Sequence, residues 1–114
     1  MKHLFWLFTL CLFFIGCSPH DVLVVANESN VQLRDVVASG SGFSERLGTI
    51  GPHETRRIAI RPRGESGLEL RFKAPEKDVA FGPEGYFEGT GGYGVTATVS
   101  QDFHVTVKSE LTFY

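Results

Sequence analysis

Cysteine is nearly absent from this chain: there are two in 114 residues, Cys11 and Cys17, both close to the N-terminus. That excludes a disulfide-stapled scaffold. Beyond the N-terminal segment the histidines are His20, His53 and His104, dispersed with no ligand-like spacing, so no local set of three or four donors is offered to a metal. Basic charge is not in excess either, since eleven Lys and Arg stand against thirteen Asp and Glu. A nucleic-acid partner is therefore not expected, because such binders carry a strongly basic face. There is no heptad, no internal repeat, no low-complexity tract and no convincing 3.6-residue apolar stripe, which leaves little room for helix. The longest apolar run, residues 4–15, falls short of the about 20 residues that a permanent spanning helix requires.

What that run does provide is the middle of a three-part secretory signal. Met1-Lys2-His3 is short and basic, residues 4–15 are almost wholly apolar, and Gly16 is small. The boundary Phe14-Ile15-Gly16-Cys17 resembles the lipobox of bacterial lipoproteins, with Phe14 where leucine is usual. The resemblance implies cleavage before Cys17, diacylglycerol on its sulfur and a further chain such as palmitate on its new amino group. Several chains are needed because each buried CH₂ contributes only about 0.8 kcal/mol. On this reading residues 1–16 are a signal peptide, 17–20 a short lipidated tether, and 21–114 the domain. Cys11 leaves with the signal. Ser18 resembles the residue found after the cysteine in outer-membrane lipoproteins, which implies a periplasm-facing place in the cell envelope.

The remainder alternates with period 2. Leu68, Leu70 and Phe72 interleave with Glu69, Arg71 and Lys73, and Tyr93, Val95, Ala97 and Val99 with Gly94, Thr96, Thr98 and Ser100. Phe103, Val105, Val107, Leu111 and Phe113 share a face opposed by His104, Thr106, Lys108, Glu110 and Thr112. These are half-buried strands. Segments 22–26, 31–38, 43–47 and 56–60 add further strands, separated by turn-forming clusters such as "NESN", "SGSG" and "APEKD". Seven to eight short strands at this spacing predict an all-β, antiparallel sandwich. The stretch "RLGTIGPHETRRIAIRP" resembles an immunoglobulin-like bacterial sandwich domain in which a Leu-Gly-x-Leu/Ile-x-Pro-Gly-Glu turn feeds a strand. Leu47, Gly48, Ile50, Pro52 and Glu54 fit, and His53 stands in place of glycine.

Candidate chemistry is sparse. Ser41, Ser44 and Ser66 lie near glycines, yet none completes Gly-x-Ser-x-Gly. "GTGGYG" at residues 89–94 satisfies Gly-x-Gly-x-x-Gly, but "VTATVS" follows it. That is a strand, not the helix whose N-terminus would hold a pyrophosphate.

Two groups remain as candidate sites. Residues 82–94 hold six glycines and three aromatics, and predict either a binding loop presenting Tyr86, Phe87, Tyr93 and Glu88 or a hairpin whose aromatics cap the sandwich. Arg56, Arg57, Arg61 and Arg63 predict either a patch for lipid phosphates or an acidic partner, or a solvated strand face. The expected function is a non-catalytic binding or assembly module without a cofactor, held to the membrane by its lipid and meeting an envelope protein. The alternatives are an inhibitor or immunity protein for an envelope-attacking enzyme, or a small envelope hydrolase.

Overall fold

The computed structural model describes residues 20–112. The segment expected to be a signal peptide, Cys17 and Phe113 lie outside the described residues. Eight strands follow one another: β1 (Asp21–Asn27), β2 (Leu33–Gly40), β3 (Phe43–Ile50), β4 (Thr55–Ile60), β5 (Glu65–Ala74), β6 (Lys77–Glu88), β7 (Tyr93–Val99) and β8 (Val105–Leu111). They form two four-stranded sheets, ordered β4-β1-β7-β8 and β3-β2-β5-β6, packed as a sandwich. No helix occurs among the described residues.

The period-2 pattern becomes a core between the sheets. β1 contributes Leu23 and Val25, β5 contributes Leu68, Leu70, Phe72 and Ala74, and β7 contributes Val95, Ala97 and Val99, all buried. Each alternates with more exposed neighbours, as successive Cβ atoms on a strand must.

The expectation of uniformly antiparallel pairing needs one correction: β1 and β7 run parallel, with Leu23 opposite Val95 and Val25 opposite Ala97. Every connection reverses the chain, so odd-numbered strands all run one way, and placing two of them side by side gives a parallel pair. Their separation in sequence supplies the crossover that such a pair requires.

Three turns are hairpins within a sheet. Gly40 pairs with Phe43 across Ser41-Gly42, Ala74 with Lys77 across Pro75-Glu76, and Val99 with Val105 across residues 100–104. The last hairpin corrects the place given to Phe103. Rather than opening β8, it sits in the turn at φ 64°, and its ring lies over Phe72 at 6.4 Å between centroids. The inward row of β8 then runs Val105, Val107, Ser109, Leu111 and fades from buried to half exposed.

The other connections cross between sheets. Residues 28–32 and 51–54 do so at one end of the sandwich, and 61–64 and 89–92 at the other. The turn after β3 is the one flagged by the immunoglobulin-like stretch. Leu47 and Ile50 are buried as anchors, the Glu54 N–H donates to the Gly51 carbonyl at 3.1 Å, and His53 has φ 60°. A left-handed residue there explains why glycine is the usual occupant.

Candidate functional site

β1 enters from one end of the sandwich, hereafter the entry pole. Its first inward residue is Asp21, buried at the boundary between core and surface. Asp21 Oδ1 accepts the Tyr93 N–H at 3.1 Å, while Oδ2 is buried without a hydrogen-bond partner. Burial pushes its carboxyl above the ordinary range, opposed by the Tyr93 N–H and the nearby His20, and reinforced by the charge of Glu88.

Backbone bonds stitch this pole together. Gly92 N–H donates to the His20 carbonyl, Thr112 N–H to Gly92, Gly89 N–H to Gly64, and Arg63 N–H to Ser41. The turns 41–42, 61–64 and 89–92 and both ends of the described chain are thus one continuous surface. Gly89 has no room for a side chain, since a Cβ would stand 2.1 Å from the Pro62 carbonyl oxygen. Beside that contact lies a hollow of about 510 Å³ lined by Pro62, Arg63, Gly64, Glu65, Glu88, Gly89 and Thr90.

The two groups singled out from the sequence meet here, but only in part. Residues 82–94 are not a loop: they divide between the end of β6 and the start of β7, and only 89–92 turn. Phe87 is wholly buried in the core, with its ring 6.1 Å from that of Phe43. Tyr86 points the other way and is 46% exposed. It meets Tyr93 edge to face at 6.2 Å, and its hydroxyl donates to Glu88, with Glu65 a second acceptor at 3.4 Å. The Glu88 carboxylate raises the phenol well above its ordinary pKa.

The arginines divide as well. Arg56 has the same parity as Ile58 and Ile60, and its guanidinium donates to the Leu47 and Thr49 carbonyls at 2.5 and 2.9 Å. It therefore ties the edge strand of one sheet to the edge strand of the other. Arg57 is exposed midway along β4, opposite Val24. Arg61 and Arg63 are exposed at the entry pole. Of the eight candidates, Tyr86, Glu88, Tyr93, Arg61 and Arg63 share that surface, whereas Arg56, Arg57 and Phe87 do not.

Glycine and serine serve the architecture. The Ser41 hydroxyl donates to the Arg63 carbonyl at 2.9 Å and that of Ser66 to Gly67 at 2.8 Å, which are structural roles for two of the three serines considered as nucleophiles. Residues 89–92 lead directly into β7, so the Gly-x-Gly-x-x-Gly run opens a strand. Among the described residues no group of three His, Cys, Asp or Glu side chains is placed to hold a metal.

Sequence reasoning missed Asn27. Buried at the opposite pole, its Nδ2 lies within hydrogen-bond reach of the Val31, Ile50 and Gly51 carbonyls at 2.8–3.1 Å. Its Oδ1 accepts both the N–H and the hydroxyl of Ser29. Asn27 thereby organises two crossing turns at once. A signal was available, because counting by twos from Leu23 and Val25 puts Asp21 and Asn27 on the core face.

No protein-family model matches the chain, and no curated protein matches it. A solved structure does: the NMR structure of a protein from Eubacterium rectale is similar over 78% of this chain and 86% of that one, with 14% identity and a TM-score of 0.52. This likeness supports the class defined by the strands, a two-sheet all-β sandwich, and speaks to fold alone.

Proposed function

We propose that this chain is a bacterial envelope lipoprotein, lipidated at Cys17, whose sandwich acts as a non-catalytic binding or assembly module close to the bilayer. The observation that carries the reading is the entry pole itself. The lipobox-like Cys17 lies three residues before His20, and the described chain joins the sandwich beside a surface that gathers members of both candidate groups. A module so tethered meets a partner at or near the membrane. Binding rather than catalysis is supported by the hydroxyls of Ser41 and Ser66, which are committed to backbone carbonyls.

The test is recovery of the protein from its own envelope after brief crosslinking, with mass spectrometry of both the N-terminal peptide and whatever is captured. The expected result is an acylated Cys17 at the mature N-terminus and one stoichiometric envelope protein. An unmodified Cys17 would overturn the anchor, and a lipidated protein turning over an envelope substrate would overturn the non-catalytic assignment.

A further inference from the structure

Tyr86 and Leu111, at 46% and 50% exposure, are the large apolar side chains left most open among the described residues. Both stand at the entry pole. Tyr93 joins them, since it touches the Tyr86 ring and is the register partner of Leu111. The result is a small apolar strip across the ends of β6, β7 and β8, with Arg61 and Arg63 on the same end of the molecule.

We infer that the entry pole is a membrane-contact face: Tyr86 and Leu111 enter the boundary between headgroups and acyl chains of the bilayer that holds Cys17, and Arg61 and Arg63 bind its phosphates. This inference rests on the lipidated reading of Cys17 and goes beyond it by assigning the orientation of the domain.

Three arguments favour lipid as the occupant. The first is reach. Residues 18–20 extended span about 10 Å, while the seven-residue strands make the sandwich about 23 Å tall. An anchor so short brings the entry pole down to the headgroups and leaves the opposite pole remote. The second is side-chain chemistry. A tyrosine with an apolar ring and a hydrogen-bonded hydroxyl suits the boundary between acyl chains and water, and guanidinium binds phosphate bidentately. The third is the acidic side of the same surface. Glu65 and Glu88 flank the Tyr86 hydroxyl, and Glu110 is paired with Lys108 at 3.0 Å. A headgroup bearing both phosphate and ammonium complements such a mixed surface.

The experiment uses the lipidated protein as it stands after cleavage before Cys17. The chain's one tryptophan, Trp6, lies in the signal segment, so single probes can be introduced without background: Tyr86→Trp and Leu111→Trp at the entry pole, and Gln101→Trp in the turn at the other. Thr90→Trp, at the exposed position of the 89–92 turn, replaces the Leu111 variant if that one does not fold. Each is reconstituted into vesicles of phosphatidylethanolamine and phosphatidylglycerol with plain or brominated acyl chains.

The expected result is loss of most emission in brominated vesicles for the probes at 86 and 111, and none for the probe at 101. Floating proteins with no quenching at any position, or with quenching at 101 alone, would overturn the face while leaving the anchor intact. Protein that fails to float would overturn the anchor, and this inference with it.

Discussion

Asn27 shows how much one side chain holds at the pole opposite the entry. Asn27→Ala leaves the carbonyls of Ile50, Gly51 and Val31 and the hydroxyl of Ser29 without their shared partner. A loss of about 3 kcal/mol is expected by denaturant titration, because buried groups stranded without partners cost more than the bonds themselves contribute. Phe103 makes a different point. Its left-handed φ opposes a bulky side chain, yet its ring packs on Phe72 and lies 5.6 Å from the Lys77 ammonium. Phe103→Ala loses the packing and keeps the strain, whereas Phe103→Gly relieves it, so the glycine variant should be the more stable by about 1 kcal/mol. The reverse order would show that φ strain is not a significant term. For Asp21 the sign follows from burial. Its raised carboxyl pKa means that the folded state holds the proton more tightly than the unfolded chain. Stability therefore falls as pH climbs from the ordinary carboxylate range through the folded pKa, and the penalty is fully present above it. Asp21→Asn retains an oxygen for the Tyr93 N–H and cannot ionise. Its denaturation midpoint should exceed that of the parent by a margin that widens with pH over that interval. A constant margin would mean that another group is responsible.

At the scale of elements, the sandwich is closed along its sides by edge strands of different sheets. On one side Arg56 of β4 reaches carbonyls of β3. On the other β6 lies against β8 so closely that a Cβ on Gly85 would stand 2.8 Å from Val107 Cγ1. Arg56→Ala should therefore cost about 1.5–3 kcal/mol, the range for hydrogen bonds from a charged donor, while Arg57→Ala, exposed one residue away, should stay within about 0.5 kcal/mol. Equal effects would dissolve the distinction between them. β6 is also the element that the sequence concealed. Gly82, Pro83 and Gly85 read as loop, but on an edge strand they bend and interrupt a face that would otherwise invite another chain. The inward row Val79, Phe81 and Phe87 was present as alternate residues. Two glycines and a proline within the same twelve positions masked it.

For the whole molecule, the decisive relation is between the anchor and the pole. If Cys17 carries the attachment, Cys17→Ser should move the protein from the membrane to the soluble fraction on cell fractionation. Its thermal midpoint should be unchanged, because the core found among the described residues begins at Leu23, beyond the site of attachment. Retention of the serine variant in the membrane would point to an uncleaved helix or to a partner as the true anchor. The parallel pairing of β1 with β7 bears on this placement, since it fixes the start of both strands at the same end. Tyr86, near the end of β6, and Tyr93, at the start of β7, are thereby delivered to the end of the sandwich where the chain enters β1.

The amino-acid sequence by itself determined the class of fold and most strand positions. Alternation of side chains across a strand is a local property of the backbone, written directly into the order of apolar and polar residues. It also carried the signal-like segment, whose pattern is contiguous. The tertiary structure alone decided which strands become neighbours, and hence that Phe87 is interior, that Arg56 bridges two sheets, and that Tyr86, Glu88, Arg61 and Arg63 share one pole. Those outcomes depend on contacts between residues tens of positions apart. No periodicity within a strand encodes which partner will lie across the sandwich.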